Sequence, residues 1–206
     1  MSSFIGHSLA GLTVYLTTTE LQVNRQYRSS ISSNLPWLLS LLVIASIPDI
    51  DYLIPSLILQ HDRYRIRTTH SLIGVLILPA ITILILWLSG QRGKTFKLRS
   101  LQAILAGLSH LVLDLSTGVL PLPLLYPDPA VFRLPFGLLP SAGRIQLTNY
   151  LFYRNLAIEV GAIVPLAIST ILIIRDATPF GKYKFFIAIG VVISGCFMFW
   201  ASTLSR

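Results

Sequence analysis

Charge is scarce in this chain. Only 12% of its 206 residues are Asp, Glu, Lys or Arg, against roughly a quarter in a soluble domain. Cysteine is nearly absent: Cys196 stands alone, so no internal disulfide can form. There is no His-Glu-x-x-His, which removes the motif of a zincin-type protease. Gly-x-Ser-x-Gly is missing too, which argues against a serine-hydrolase elbow. The first residues carry no basic n-region and no small-residue cleavage site, so the first apolar run is expected to be mature structure. In excess are apolar residues, at 53%, with a mean hydropathy of +0.72. This composition predicts an integral membrane protein in one domain over residues 1–206. The net charge of +8 is spread among short loops. It is read as a topology determinant and a contact for the lipid bilayer, with no nucleic-acid partner expected.

Six apolar segments are expected, at residues 4–19, 35–59, 70–88, 101–117, 150–174 and 183–204. Runs of this length without alternation favour helices over a barrel. The predicted fold class is all-α: a polytopic transmembrane bundle of about six helices. A metal-site core is expected over residues 4–140, and a C-terminal helix pair over 150–204. Pro48 and Pro55 interrupt the second segment. Between the fourth and fifth lies a stretch, 119–149, that holds six of the twelve prolines. It cannot be a regular helix and is too apolar for a solvated linker, so a re-entrant or interfacial loop packed on the bundle is expected.

His110 and Asp114 stand four apart in an apolar run. On a helix that spacing stacks them on one face, one turn apart. Two readings compete: a polar pair bonded inside a bundle, or two metal ligands. Six crossings would bring His7, Asp49, Asp51 and His70 to the same side and depth as this pair, which favours one site. Asp49 and Asp51, at i and i+2, point to nearly opposite faces of a regular helix. One of them is therefore a candidate to orient a histidine from behind. Glu159 is expected to pair with Arg154, and His61 to be a surface residue. His7-Ser8-Leu9-Ala10-Gly11 faintly echoes His70-Ser71-Leu72-Ile73-Gly74, whose glycines suit close helix contact. The slight excess of Lys and Arg on the opposite side places the site toward the exoplasmic face.

Four blocks in order carry a family resemblance: Gly6-His7, Pro48-Asp49-Ile50-Asp51, Thr69-His70-Ser71, and Gly107 to Thr117 followed by Tyr126-Pro127 and Phe132-Arg133-Leu134-Pro135. Over residues 6–135 the chain resembles the YdjM-like family of inner-membrane predicted metal-dependent hydrolases, also described as LexA-binding and inner-membrane-associated. The resemblance implies a bacterial-type inner-membrane location and hydrolysis through a metal-activated water. Many members carry His-Arg-Gly before Thr-His-Ser. Here Tyr64-Arg65-Ile66-Arg67 stands instead. Either Arg65 or Arg67 takes over as an anion contact, or part of the site is lost.

The expected metal ligands are His7, Asp49, His70, His110 and Asp114. The donor types suit Zn²⁺, with Mn²⁺ or Fe as alternatives. Asp49 and Asp51 are the expected catalytic carboxylates, as base or bridge. Arg65, Arg67 and Arg133 are expected to contact a phosphorylated or lipid-linked substrate. The competing function is a non-catalytic membrane protein, either a partner-binding scaffold or a metal or proton carrier. A carrier would place polar groups along a path to both sides, and a scaffold would tolerate loss of every named ligand.

Overall fold

The structure, a computed structural model, describes residues 2–22, 34–52, 54, 58–60, 65–119, 121–141, 148–175 and 181–204. Among the described residues, six α-helices make up the bundle: α1 (Phe4–Gln22), α2 (Leu35–Ser46), α3 (Leu72–Leu88), α4 (Gly93–Thr117), α5 (Tyr150–Arg175) and α6 (Lys184–Thr203). The fold is all-α, apart from a small antiparallel hairpin of β1 (Ile58–Gln60) and β2 (Arg65–Arg67) that pairs Leu59 with Ile66. Three helices, α4, α5 and α6, are long and apolar enough to cross a membrane. The expected position of His61 lies outside the described residues.

The second apolar segment is not one helix. Pro36 opens α2, and Ser46 ends it after 12 residues, short of the roughly 17 a span requires. Pro48 is the cause, since it lacks the N–H that would continue the ladder and its ring clashes with the preceding turn. The chain tightens instead into a 3₁₀ turn over Ile47–Tyr52. A second 3₁₀ turn, Thr68–His70, leads into α3. There the Ser71 hydroxyl accepts from the Gly74 N–H at 3.0 Å as an N-cap. The fourth segment begins earlier than expected. Most of the basic stretch 90–99 is the first turns of α4, and Gly118, at φ +59, ends that helix in the left-handed conformation.

Helix α1 is the hub, packing against α2, α4 and α5, while α3 leans on α4 and α6 on α5. Buried Tyr15, Leu41, Ile44, Ala45, Ala103 and Ala106 form the core where α1, α2 and α4 meet. Small residues set the spacing. A Cβ at Gly11 would lie 3.1 Å from the Leu41 carbonyl oxygen, and one at Gly107 would lie 2.6 Å from that of Val75. Gly107→Val is therefore expected to force α3 from α4, at a cost of about 1–3 kcal/mol. The readout is a lower midpoint of thermal unfolding in detergent, and an unchanged midpoint would contradict this packing.

The outer faces are apolar. Ile73, Ile77 and Leu84 on α3, and Phe185, Val192 and Phe199 on α6, are all exposed, as lipid-facing surfaces are. The four threonines of α1 turn their hydroxyls back onto carbonyls one turn earlier. Thr13 and Thr17, for instance, donate to Leu9 and Thr13 oxygens at 2.7 Å each. The Pro-rich stretch forms no helix among its described residues. Leu122 and Phe132 exchange backbone bonds of 2.8 Å within it, and it packs on the bundle where Leu72 N–H donates to the Leu124 oxygen and Leu138 N–H to the Ser116 oxygen. The last two contacts fasten it to the start of α3 and the end of α4.

Candidate metal centre

Helices α1 and α2 run antiparallel, so the start of α1 meets the 3₁₀ turn that ends α2. The last turns of α4 and the turn before α3 come to the same place. His7, Asp49, His70, His110 and Asp114 meet there, from four different elements. The three imidazoles are fully buried, the Asp114 side chain is 1% exposed and the Asp49 side chain 15%.

Asp114 is the centre of the group. Its Oδ2 lies 3.2 Å from His70 Nε2 and 3.3 Å from His110 Nε2, and its Oδ1 lies 3.5 Å from His7 Nε2. Asp49 faces it, with Oδ1 3.3 Å from His70 Nε2 and Oδ2 3.6 Å from His7 Nε2. One donor atom from each of His7, Asp49, His110 and Asp114 fits within 4.8 Å of the others. His70 falls outside that tightest set, yet it is as near to both carboxylates as any other histidine, so it belongs to the same centre. Donors held about 2.1 Å from a shared ion in tetrahedral geometry lie about 3.4 Å apart, close to these separations.

The tautomers sharpen the point. His110 Nδ1 lies 2.8 Å from the Ala45 carbonyl oxygen, which can only accept, so the proton sits on Nδ1. His70 Nδ1 lies 3.0 Å from the Thr69 hydroxyl, which in turn donates to Asp51 Oδ2 at 3.0 Å. That hydroxyl has one proton, so His70 also carries its own on Nδ1. With an ion bound, each of these two rings would turn its Nε2 lone pair toward it. His7 Nε2, His70 Nε2, His110 Nε2, Asp49 Oδ1 and Asp114 Oδ2 are all buried without a hydrogen-bond partner. Buried polar atoms left without a partner are costly, and a cation held among these nitrogens and carboxylate oxygens would satisfy them. With the three imidazoles neutral, the two carboxylates would balance a divalent ion. The residues fit a metal by both donor chemistry and spacing.

The supporting groups hold these donors in place. Asp51 does not face the cluster. In a 3₁₀ turn of three residues per turn it points away from Asp49. It pairs with Arg67, whose Nε donates to Oδ2 at 2.6 Å, and lies 3.5 Å from His70 Nδ1. Guanidinium, carboxylate and hydroxyl thus fix the His70 ring from behind. Arg67, expected to contact substrate, is bound into this structure by Asp51. The Arg65 side chain lies outside what is described, and Arg133 is exposed on the Pro-rich stretch.

The expected Glu159–Arg154 pair is absent. Five residues apart on a helix, the two sit about 140° around from one another. Arg154 bonds Asn155 instead. Glu159 is 1% exposed and receives the Ser3 N–H at 2.9 Å and the Ser2 hydroxyl. The Ser2 N–H donates to Asp114 Oδ1 at 2.9 Å. The N-terminal residues therefore link α5 to the cluster. Nothing in their sequence signals this, because two serines before an apolar run have no pattern of their own. Thr69 was legible only as part of the Thr-His-Ser block.

A family model for YdjM inner membrane proteins matches residues 1–195. This chain belongs to the YdjM inner membrane protein family. The match extends beyond residues 6–135, through α5 and into α6, so it includes Glu159. No curated protein and no solved structure matches the chain. Membership in the YdjM family, with three helices among the described residues apolar and long enough to span a membrane, makes this a membrane protein of an inner-membrane family, with a His/Asp cluster that could hold a metal ion.

Proposed function

We propose that this YdjM-family protein is a metal-dependent hydrolase of a phosphoester or similar bond in a membrane-associated substrate. The observation that carries the proposal is the set of partnerless Nε2 and carboxylate atoms turned toward one another at the end of the bundle. Zn²⁺ suits these ligands best, with Mn²⁺ and Fe as alternatives. Bound there, such an ion supplies Lewis acidity and lowers the pKa of water to about 7. His7, His70, His110 and Asp114 would hold it. Asp49 is the most accessible of the five, which suits it to take a proton from the attacking water as well as to ligate. Asp51 acts through His70 as a positioning residue, and among the described residues Arg133 offers an exposed guanidinium to an anionic group.

The carrier reading finds less support. At the opposite end of the bundle, Gln102 accepts from Trp37 Nε1 at 2.6 Å and donates to Thr18 at 3.0 Å. These groups are neutral and satisfy one another, unlike the partnerless atoms of the cluster. The test is a turnover screen on phospholipids and p-nitrophenyl phosphoesters with purified, metal-loaded protein. Wild type is expected to hydrolyse at least one of them, and Asp49→Ala to lose about 100-fold or more. Equal turnover by the two proteins would overturn the assignment of Asp49. No turnover on any substrate would favour the scaffold.

A further inference from the structure

A cavity of about 380 Å³ lies beside the cluster, between the 3₁₀ turn after α2 and the outer face of α3. Its size falls within the roughly 300–1,000 Å³ usual for small-ligand sites. Pro48 and Ile50, the neighbours of Asp49, line one wall, and Thr69, the neighbour of His70, lines it too. The far wall is Ile73, Ile77 and Leu78 of α3, with Tyr126 of the Pro-rich stretch. Ile73 and Ile77 are 58% and 54% exposed, so the cavity is continuous with the apolar outer surface of the bundle. No charged side chain is among its lining residues. The polar lining is limited to hydroxyls, of which Ser71's is engaged with the Thr68 carbonyl oxygen at 2.7 Å.

We infer that this cavity holds the hydrocarbon chain of a membrane lipid, with the lipid's polar end at Asp49. Two observations fix the direction. The lining suits a chain and offers nothing to a charged headgroup. The side chain of Asp49, bracketed by two lining residues, is the one part of the cluster with appreciable exposure, at 15%. A lipid entering from the bilayer between Ile73 and Ile77 would meet the cluster with its headgroup linkage first. Identifying the lipid as substrate rests on the hydrolase reading, whereas the chain site itself does not.

The experiment is photolabelling of the full-length protein in nanodiscs with dodecyl phosphate carrying a mid-chain diazirine, mapped by mass spectrometry. Labelling at Ile73, Ile77 and Tyr126 is expected to exceed that at Phe185, Val192 and Phe199 of α6 several-fold. Each methylene held in the cavity adds about fourfold in affinity. Ile77→Trp, at a position already exposed, is expected to fill the cavity and abolish the excess while labelling of α6 stays the same. Even labelling of both faces in wild type would overturn the chain site, whatever the variant does. The two readings fail separately. Focused labelling without turnover of any phosphoester would sink the hydrolase and keep the chain site. Equal turnover of p-nitrophenyl phosphate and its dodecyl diester, with even labelling, would do the reverse.

Discussion

Asp114→Ala protein purified from cells supplied with zinc should carry almost none of the metal that wild type carries. Among the described carboxylates, Asp114 is the one within 3.5 Å of Nε2 of all three histidines. Its removal deletes a ligand and half of the negative charge facing the imidazoles. Changing a group that merely supports a ligand typically costs about 10–100-fold in metal affinity, so loss of this ligand is expected to cost at least about 100-fold. His110→Ala should behave alike, because it removes the imidazole that the Ala45 carbonyl holds in the ligating tautomer. Elemental analysis by mass spectrometry reads the result directly. Gln102→Ala is the matched control: it removes a buried polar side chain from the same helix, at the other end of the bundle, and should leave metal content unchanged. Wild-type metal levels in Asp114→Ala would remove the metal reading of the cluster.

The position of the cluster was legible because helices impose long-range order on short signals. The spacing of His110 and Asp114 needs only a helix to bring both to one face. The alternation of apolar segments then brings His7, Asp49 and His70 to the same end, even though α2 at 12 residues does not itself form a full span. What the sequence concealed depends on turns and on the ends of chains. The geometry of Pro48 decides that Asp49 faces the centre while Asp51 faces Arg67. Reading a regular helix could establish that the two diverge, but not which goes inward. The echo between His7-Ser8 and His70-Ser71 brings two histidines to one site without repeating a structure: His7 lies within α1, His70 in a 3₁₀ turn. Gly74 accordingly comes closest to the backbone of that turn, at Thr68 and Thr69. Glu159 was misassigned because its partners, Ser2 and Ser3, lie more than 150 residues away.

Arg67→Ala should destabilise the protein more than the double change Asp51→Asn with Arg67→Ala. Asp51 is fully buried, and its partner guanidinium is 11% exposed. Forming such a pair removes both charges from water, and deleting one partner costs about 3–5 kcal/mol because the other charge is left behind. In Arg67→Ala the Asp51 carboxylate keeps, among the described residues, the Thr69 hydroxyl and the nearby His70 ring. A stranded anion at that position also pulls on the proton that fixes the His70 tautomer. In the double variant the anion is gone, and an asparagine can still accept the Thr69 hydroxyl. The double protein should therefore unfold at a higher temperature than the single, and the cycle should show a coupling well above the roughly 0.3–0.5 kcal/mol expected of independent sites. Metal content separates support from ligation. Asp51→Asn should weaken metal binding by about 10–100-fold, a partial loss that excess zinc restores, unlike the loss in Asp114→Ala. Additive stabilities in the cycle, together with unchanged metal affinity in Asp51→Asn, would show that the Arg67–Asp51 pair does not brace His70.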